Sequence, residues 1–489
     1  MKCRKLKKIS VSKIQLIALL TGLAVALAFY FINPFHLSGK APATLAVAVL
    51  MIIWWISEAL PLPVTALLPL ILFPVLDIAT PKETAAPYAN PIIFLFMGGF
   101  MIGLAIEKWN LHRRIALNIV RLTGTSGNRI ILGFIISTGL LSMWLSNTAT
   151  TMMMFPIAVS VIHVMKERHN GEGNFENFSL VLMLVIAYAA NLGGIATIIG
   201  TPPNVAFVGY IEKTYDYNIG FLNWVKIAAP IAILLLAILY WVMTRLLFPN
   251  RIRSSVATRQ LIHDELVKLG PISPEEKRVL IIFIATALLW ITKDLINTTG
   301  LIQLDDTIIA MIGALALFIC PASRNNPLSR NILEWGDTQK MAWGILILFG
   351  GGISLAGALE NAGLINALGE WMAGFAGGGL LLVFVITLVS LFLGELMSNI
   401  AQVIVFAPVV CGLADALKIN PLTLGIPMTL AASCAGMFPM ATPPNAIVFS
   451  SGYIKLSKMT RAGFVMNIIA VVLITLFSWY LLPLILGIK

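Results

Sequence analysis

Charge is scarce in this chain. Asp, Glu, Lys and Arg make up only 11% of its 489 residues, against about a quarter in a soluble domain. Hydrophobic residues make up 58%. Such a chain cannot cover a globular surface with polar groups, which excludes a water-soluble fold and calls for lipid as solvent. Cysteine is sparse too. Cys3, Cys320, Cys411 and Cys434 show no paired spacing, so there is no disulfide framework or zinc motif. His36, His112, His163, His169 and His263 form no ligand pattern. A Gly-rich nucleotide loop, HExxH and GxSxG are all missing, and no catalytic constellation takes their place. The chain reads as a non-enzyme.

Bases outnumber acids, for a net charge of +11. A nucleic-acid binder would gather them on a soluble face. Here they stand in the gaps between apolar runs, as positive-inside topology requires, so the expected partner is the bilayer and not nucleic acid. The start carries Lys2, Arg4, Lys5, Lys7, Lys8 and Lys13, and an apolar run from Ile14 to Ile32 follows. A cleaved signal peptide is the alternative. The run is long for one and no polar mature domain follows, so a first span with a cytoplasmic N-terminus is the favoured reading.

Apolar runs at 14–33, 43–60, 64–83, 92–119, 179–211, 223–248, 278–297, 305–322, 342–360, 422–454 and 462–487 give eleven candidate spans. Two further stretches, 129–165 and 378–416, each carry a polar break near the middle. A span needs about 20 residues, so each stretch is two spans or one re-entrant hairpin. With the N-terminus inside, Arg113, Arg114, Arg121, Lys166, Arg168, Arg251, Arg253, Arg259, Lys268, Arg324, Arg330, Lys340, Lys455, Lys458 and Arg461 all fall inside. The outer loops keep few bases, Lys40, Lys82, Lys213 and Lys418 among them. The C-terminus then lies outside. Both readings of the long stretches leave most loops where they are, so the case for hairpins comes from their tips.

The halves of the chain resemble each other. Ile92-Ile93-Phe94-Leu95-Phe96-Met97-Gly98-Gly99 lines up with Ile345-Leu346-Ile347-Leu348-Phe349-Gly350-Gly351-Gly352 at an offset of 253, and Glu107 and Leu111 with Glu360 and Leu364. Ser146-Asn147-Thr148-Ala149 matches Ser398-Asn399-Ile400-Ala401 at 252. Thr201-Pro202-Pro203-Asn204 matches Thr442-Pro443-Pro444-Asn445 at 241. This ordering divides the chain into an N-terminal segment and first span (1–33), a first repeat (43–248, with hairpin 129–165 and broken helix 179–211), a polar cytoplasmic linker (249–277) and a second repeat (278–487, with hairpin 378–416 and broken helix 422–454). Each unit holds an odd number of full spans, which inverts the second relative to the first. Inverted repeats with paired helix breaks mark secondary carriers that bind near the midplane. The expected fold is an all-α integral membrane protein of about eleven transmembrane helices plus two re-entrant hairpins.

Thr-Pro-Pro-Asn within an apolar run must break its helix, because proline removes an N–H and clashes with the preceding turn. The carbonyls freed upstream, those of Gly200 and Ala441 included, are candidate cation ligands. The half-helices beyond begin with exposed N–H groups that suit an anion. The tips add Ser146, Asn147, Thr148, Ser398 and Asn399, whose oxygens can hold a hard cation and whose amide N–H groups can donate to a carboxylate. No Lys or Arg lies near any of the four breaks. A divalent anion there needs compensating charge, and co-transported cations are the available source. Glu395, three residues before Ser398 where the first half has Met143, reads either as a proton-coupling group or as an acceptor for backbone N–H groups in the hairpin.

The chain resembles the divalent anion/sodium symporter family of dicarboxylate, citrate and sulfate carriers. The resemblance rests on Trp54-Trp55-Ile56-Ser57-Glu58-Ala59-Leu60-Pro61, on Glu107 through Leu117, on Ser142 through Thr151 and on Ala441 through Phe449. It implies a homodimer with a dimerising scaffold and a transport domain that slides like an elevator. It places one sodium site at Ser142, Ser146, Asn147 and Gly200, and a second at Gly394, Ser398, Asn399 and Ala441. It places the substrate at Asn147, Thr148, Thr201, Pro202, Asn399, Thr442 and Pro443. Two departures stand out. The second tip has Ile400 where the family often has Thr, which turns the expectation from citrate toward C4-dicarboxylates. Gly394 stands where the family often has Thr, so a hydroxyl is missing from the second ion site. The resulting expectation is sodium-coupled uptake of succinate, malate or fumarate across the cell's inner membrane. The alternatives are a sodium-independent dicarboxylate exchanger, a citrate or sulfate symporter, and proton coupling through Glu395.

Overall fold

Hydrocarbon offers no hydrogen-bond partners, so a chain crossing it must satisfy its backbone internally, and helices do this within one segment. The computed structural model describes residues 13–167, 174–252, 256–300, 302–323, 330–373 and 379–487. These are helical apart from turns, loops and one isolated bridge between Pro321 and Asn331. Cys3, the bases from Lys2 to Lys8, Arg168, His169, Arg253 and Arg324 lie outside the described residues.

Helix α1 (Lys13–Ile32) exposes Leu16, Ile17, Leu20 and Phe31, as a lipid-facing span should, and packs along α2 (Ala41–Ile56). The run 64–83, expected as one span, is instead three short helices: α3 (Leu62–Thr65), α4 (Leu68–Val75) and α5 (Pro81–Ala85). Asp77 turns the chain at φ +55°, and Thr80 with Glu83 forms a capping box that restarts it. The run 92–119 also divides. Helix α6 (Pro91–Lys108) ends at Trp109, Asn110 takes the left-handed conformation at φ +57°, and α7 (Leu111–Thr123) begins. Charge explains the division. Arg113 and Arg114 would be costly in hydrocarbon, whereas an amphipathic α7 can bury Leu111, Ala116, Leu117 and Val120 and turn the bases toward Glu265 and Glu276.

Helices α8 (Gly127–Ser142) and α9 (Asn147–Glu167) form the first tip between them. Then come α10 (Phe175–Gly194) and, after a break, α11 (Pro202–Tyr215). Helix α12 (Phe221–Trp241) ends in a π-helical turn, and α13 (Val256–Lys268) lies in the linker. The second half runs through α14 (Pro274–Asn297), α15 (Asp306–Ile319), α16 (Trp343–Asn361) and the short α17 (Leu364–Ala373). Helices α18 (Leu380–Gly394) and α19 (Asn399–Ala416) flank the second tip. After α20 (Pro421–Ala432) comes the second break, then α21 (Pro443–Phe449), α22 (Leu456–Tyr480) and α23 (Leu482–Leu486). The succession from α6 to α11 is thus repeated from α16 to α21.

Among the described residues, nine helices are long and apolar enough to cross a bilayer. The protein is a multi-pass membrane protein. The 16 residues of α8 and the 15 of α18 span only about 23 Å at 1.5 Å per residue, short of a hydrocarbon core of about 30 Å. Helix α10 is buried on every side from Phe178 to Gly194, as a helix at the centre of a bundle must be.

Packing gathers the helices into two bodies, which meet where α16 lies against α11 and α19 and where α6 touches α11. Helices α8 to α10 gather with α12 and α21, and α18 to α20 gather with α11 and α22. Helices α2, α6, α14, α15 and α16 pack among themselves and against α3 to α5. The amphipathic α7 and α17 reach from the second body onto α8 and α19 of the first. Arg114 anchors α7. Its guanidinium pairs with both carboxylate oxygens of Glu276 at 2.9 and 3.0 Å and donates to the Gly270 carbonyl at 2.9 Å. Arg113 pairs with Glu265 of α13.

Candidate functional site

The first tip is built against the first break. Ser142 Oγ, at the end of α8, donates to Asn147 Oδ1 at 2.6 Å. Ser146 Oγ accepts from the Ala149 amide at 3.2 Å and so caps α9. Thr197 Oγ1, inside the break, donates to the Met143 carbonyl at 2.5 Å and accepts from the Gly200 amide at 3.0 Å. Glycine is required here. A Cβ on Gly194 would lie 2.4 Å from Asn147 Oδ1, and one on Gly200 would lie 2.4 Å from the Gly194 carbonyl and 3.0 Å from that of Ser142. Ser142, Asn147 and Gly200 thus converge, with Ser146 beside them. Asn147 and Thr148 are half-buried and open to a guest.

The break residues each have an assigned task. Thr201 is buried at the N-cap of α11, whose first residue, Pro202, is half-buried. Thr442 caps α21, accepting from the Asn445 amide at 3.4 Å, and Pro443 is exposed. Proline at N1 suits both helix starts, where its missing N–H would have no partner anyway. Asn204 Nδ2 donates to the Thr197 and Ile195 carbonyls at 2.8 and 3.3 Å. Asn445 Nδ2 donates to the Phe438 and Ala435 carbonyls at 3.1 and 3.4 Å. The last residue of each Thr-Pro-Pro-Asn motif therefore folds back onto carbonyls that the broken helix leaves open. The carbonyls of the break are shared between these asparagines and any ion.

The two repeats brace each other. The half-helix α21 packs on α9 and α10, and α11 packs on α19 and α20. Asn191 Nδ2 of α10 donates to Thr442 Oγ1 at 3.1 Å, and Tyr188 OH donates to the Gly436 carbonyl at 2.7 Å. Each half-helix thus lies against the tip helix of the other repeat.

The family is decided by comparison with known proteins. The model of the sodium:sulfate symporter transmembrane region matches residues 13–486. The chain belongs to the sodium:sulfate symporter family. Within it, the chain is 40% identical to a Staphylococcus saprophyticus protein named sodium-dependent dicarboxylate transporter SdcS, over 97% of this chain and 92% of that one. It is 39% identical to the Staphylococcus aureus protein of the same name, over 99% and 94%. Among solved structures it is similar to the YdaH transporter of Alcanivorax borkumensis, with 12% identity and a TM-score of 0.56, covering 91% of this chain and 98% of that one. It is likewise similar to MtrF of Neisseria gonorrhoeae, with 11% identity and the same TM-score, covering 94% and 97%. At such identities the structures share the fold alone.

The second tip in this family member differs from the first. Ser398 stands at the N-cap of α19 without capping it through its side chain. Asn399 is half-buried, yet its Oδ1 is buried and meets no donor. Ile400 contributes only apolar surface. The place where a Gly394 side chain would begin lies 3.3 Å from Asn399 Oδ1 and 2.9 Å from the Ala432 carbonyl. Ala441 is not among the three atoms nearest that place; it is buried just before Thr442.

Among the described residues, Glu395 forms no ion pair. Its Oε1 accepts from the Gly436 and Met437 amides at 2.7 and 2.9 Å and from Asn467 Nδ2 at 2.6 Å. Its Oε2 accepts from the Phe438 amide at 3.2 Å. The carboxylate holds backbone N–H groups, as expected of a structural acceptor, but those of the second break and not those of the hairpin. The first repeat joins tip to break with the same polarity but without charge: the Thr197 hydroxyl of the break donates to the carbonyl of Met143, the residue that matches Glu395. A cavity of about 890 Å³, lined in part by Lys40, Glu83, Lys213 and Glu360, stands apart from both tips.

Proposed function

We propose that the chain is a sodium-coupled symporter of divalent anions, and that C4-dicarboxylates such as succinate, malate and fumarate are its cargo. The observation that carries the reading is the chemistry of the paired tips. Segments 142–150, 195–204, 394–402 and 432–445 supply carboxamide, hydroxyl and carbonyl oxygens but neither Lys nor Arg. Fixed protein charge in them cannot neutralise a doubly negative guest, so the neutralising charge travels with it. Sodium would be held by Ser142, Ser146, Asn147 and Gly200 in the first tip, and by Gly394, Ser398, Asn399 and Ala441 in the second. Buried oxygens without donors fit that role, because a cation takes the place of a hydrogen-bond donor.

The carboxylates would rest on Asn147, Thr148, Thr201, Pro202, Asn399, Thr442 and Pro443. The N-terminal N–H groups of α9, α11 and α19 supply the positive ends of helix dipoles. The names of the Staphylococcus relatives support the choice of dicarboxylate, and Ile400, which offers no hydroxyl donor, favours a smaller guest with one carboxylate fewer than citrate. The two packing bodies, which touch through α7, α16 and α17, support an elevator movement, in which α8 to α12 and α18 to α22 slide against a scaffold that pairs with its counterpart in a homodimer. The proposed setting is the inner membrane, with the N-terminus cytoplasmic and the C-terminus outside.

Uptake of labelled succinate into proteoliposomes tests the reading. An inward sodium gradient should drive accumulation, choline in its place should abolish it, and Asn147→Ala and Asn399→Ala should each lower it at least tenfold. Accumulation without sodium would refute symport, and sulfate uptake without succinate uptake would refute the cargo.

A further inference from the structure

The second tip contains a buried side chain that no motif marks. Gln402 is fully buried in α19. Its Nε2 donates to the Ser390 carbonyl and to Ser390 Oγ, both at 2.7 Å. Ser390 Oγ gives its own hydrogen to the Met428 carbonyl at 2.7 Å. With that hydrogen used, the hydroxyl can face Gln402 only as an acceptor, and a carbonyl is an acceptor always. Both neighbours therefore require the nitrogen of the carboxamide on their side, which settles its orientation. Gln402 Oε1 then points away from Ser390 and has no donor.

It points to the place where Gly394 lacks a side chain. A Cβ there would lie 2.9 Å from the Ala432 carbonyl and 3.3 Å from both Asn399 Oδ1 and Gln402 Oε1, and these are its three nearest atoms. All three are oxygens, and the two carboxamide oxygens are buried and unpartnered. Three acceptors around one small space repel each other unless something positive sits among them. The matching position in the first repeat, Thr150, is also fully buried with an unpartnered hydroxyl.

We propose that Gln402 Oε1 and the Ala432 carbonyl, together with Asn399 Oδ1, are ligands of the cation at the second tip. Gln402 supplies the oxygen that a hydroxylated side chain at 394 would otherwise bring, and Gly394 keeps the space clear for the ion. The inference rests on the reading of the second tip as a sodium site. It adds ligands to that site and makes Gln402 a determinant of sodium affinity.

Sodium-dependent thermal stabilisation of the purified full-length protein, with no dicarboxylate present, tests it. The variants are Gln402→Met, which keeps length and loses the oxygen, and Gln402→Glu, which keeps the ion-facing oxygen and adds negative charge, the Ser390 hydroxyl turning from the Met428 carbonyl to donate to its second oxygen, with Asn399→Ala as reference. Gln402→Met should raise the sodium midpoint at least tenfold, and Gln402→Glu should lower it at least threefold. Should Gln402→Met not fold, Gln402→Glu carries the test alone. If Asn399→Ala shifts the midpoint while a folded Gln402 variant stays within twofold of the parent, a water and not a cation occupies the space, and the inference is overturned. If Asn399→Ala also leaves the midpoint unmoved, the second tip holds no sodium and the underlying reading falls with it.

Discussion

Replacing Glu395 with glutamine separates a structural clamp from a proton carrier. Four N–H groups converge on this buried carboxylate, from Gly436, Met437, Phe438 and Asn467. In Glu395→Gln one oxygen can still take the three bonds now made to Oε1, but as neutral bonds. The new amide nitrogen then meets the Phe438 N–H donor to donor. Bonds to a charged group contribute about 1.5–3 kcal/mol and neutral ones about 0.5–1.5, so three such bonds lose roughly 1 kcal/mol each, and an orphaned N–H costs about 1–3 more. Neutralising a buried group returns part of its desolvation cost, which leaves a net loss of roughly 2–4 kcal/mol. Thermal unfolding in detergent should therefore show a clear drop in melting temperature. Sodium-driven uptake should fall, because the second break is less firmly placed, while the shape of its pH profile stays as in the parent. A proton carrier would behave in the opposite way: Glu395→Gln would melt like the parent, and its uptake would lose its pH dependence. That pair of results would refute the clamp.

Two further outcomes concern the ion pairs that hold α7. Arg114→Ala removes one partner of an ion pair whose side chains are only 15% and 5% exposed, which should cost about 3 kcal/mol; Arg114→Lys should recover only part of this, because it lacks the two-pronged geometry. An unchanged melting temperature in Arg114→Ala would show that α7 does not depend on this pair. Glu265 has its pKa lowered, first by the hydrogen bond from Lys268 and then by the charge of Arg113. A carboxylate held below its unfolded pKa of 4.5 stabilises the fold above that pH and loses its contribution as pH falls through the lowered value. The melting difference between the parent and Glu265→Gln should therefore shrink as pH drops below about 4.5 and shrink with added salt. A difference that grew on acidification would contradict this.

Much of the architecture can be read from residue order because lipid leaves so few options. Low charge and long apolar runs allow only helices, and the paired Ser-Asn and Thr-Pro-Pro-Asn motifs mark where those helices stop. What escapes is set by tertiary contact or by a single backbone torsion. The turn at Asn110 interrupts an apolar run without a proline, and only the polar stretch from Glu107 to Arg114 marks it. In 64–83 the signal is present in Pro74, Asp77 and Pro81, but an apolar count passes over it. Asn204 and Asn445 are plain in their motif, yet their amides bond carbonyls that only the fold brings back to them. Glu395 shows its acceptor role in its isolation from bases, but its backbone partners lie about 40 residues on, in the second break, and Asn467 lies further on still, in α22. Gln402 sits within an apolar helix at a position that looks like core, and nothing in its neighbours announces an oriented oxygen.

The central physical claim is that a cradle without a cationic side chain accepts a dianion only when metal cations enter with it. Calorimetric titration of succinate into the purified protein, at zero and at saturating sodium, addresses it directly. Binding should be undetectable in choline and appear with sodium, and by linkage succinate should tighten sodium binding by the same factor. Equal succinate affinity with and without sodium would contradict it.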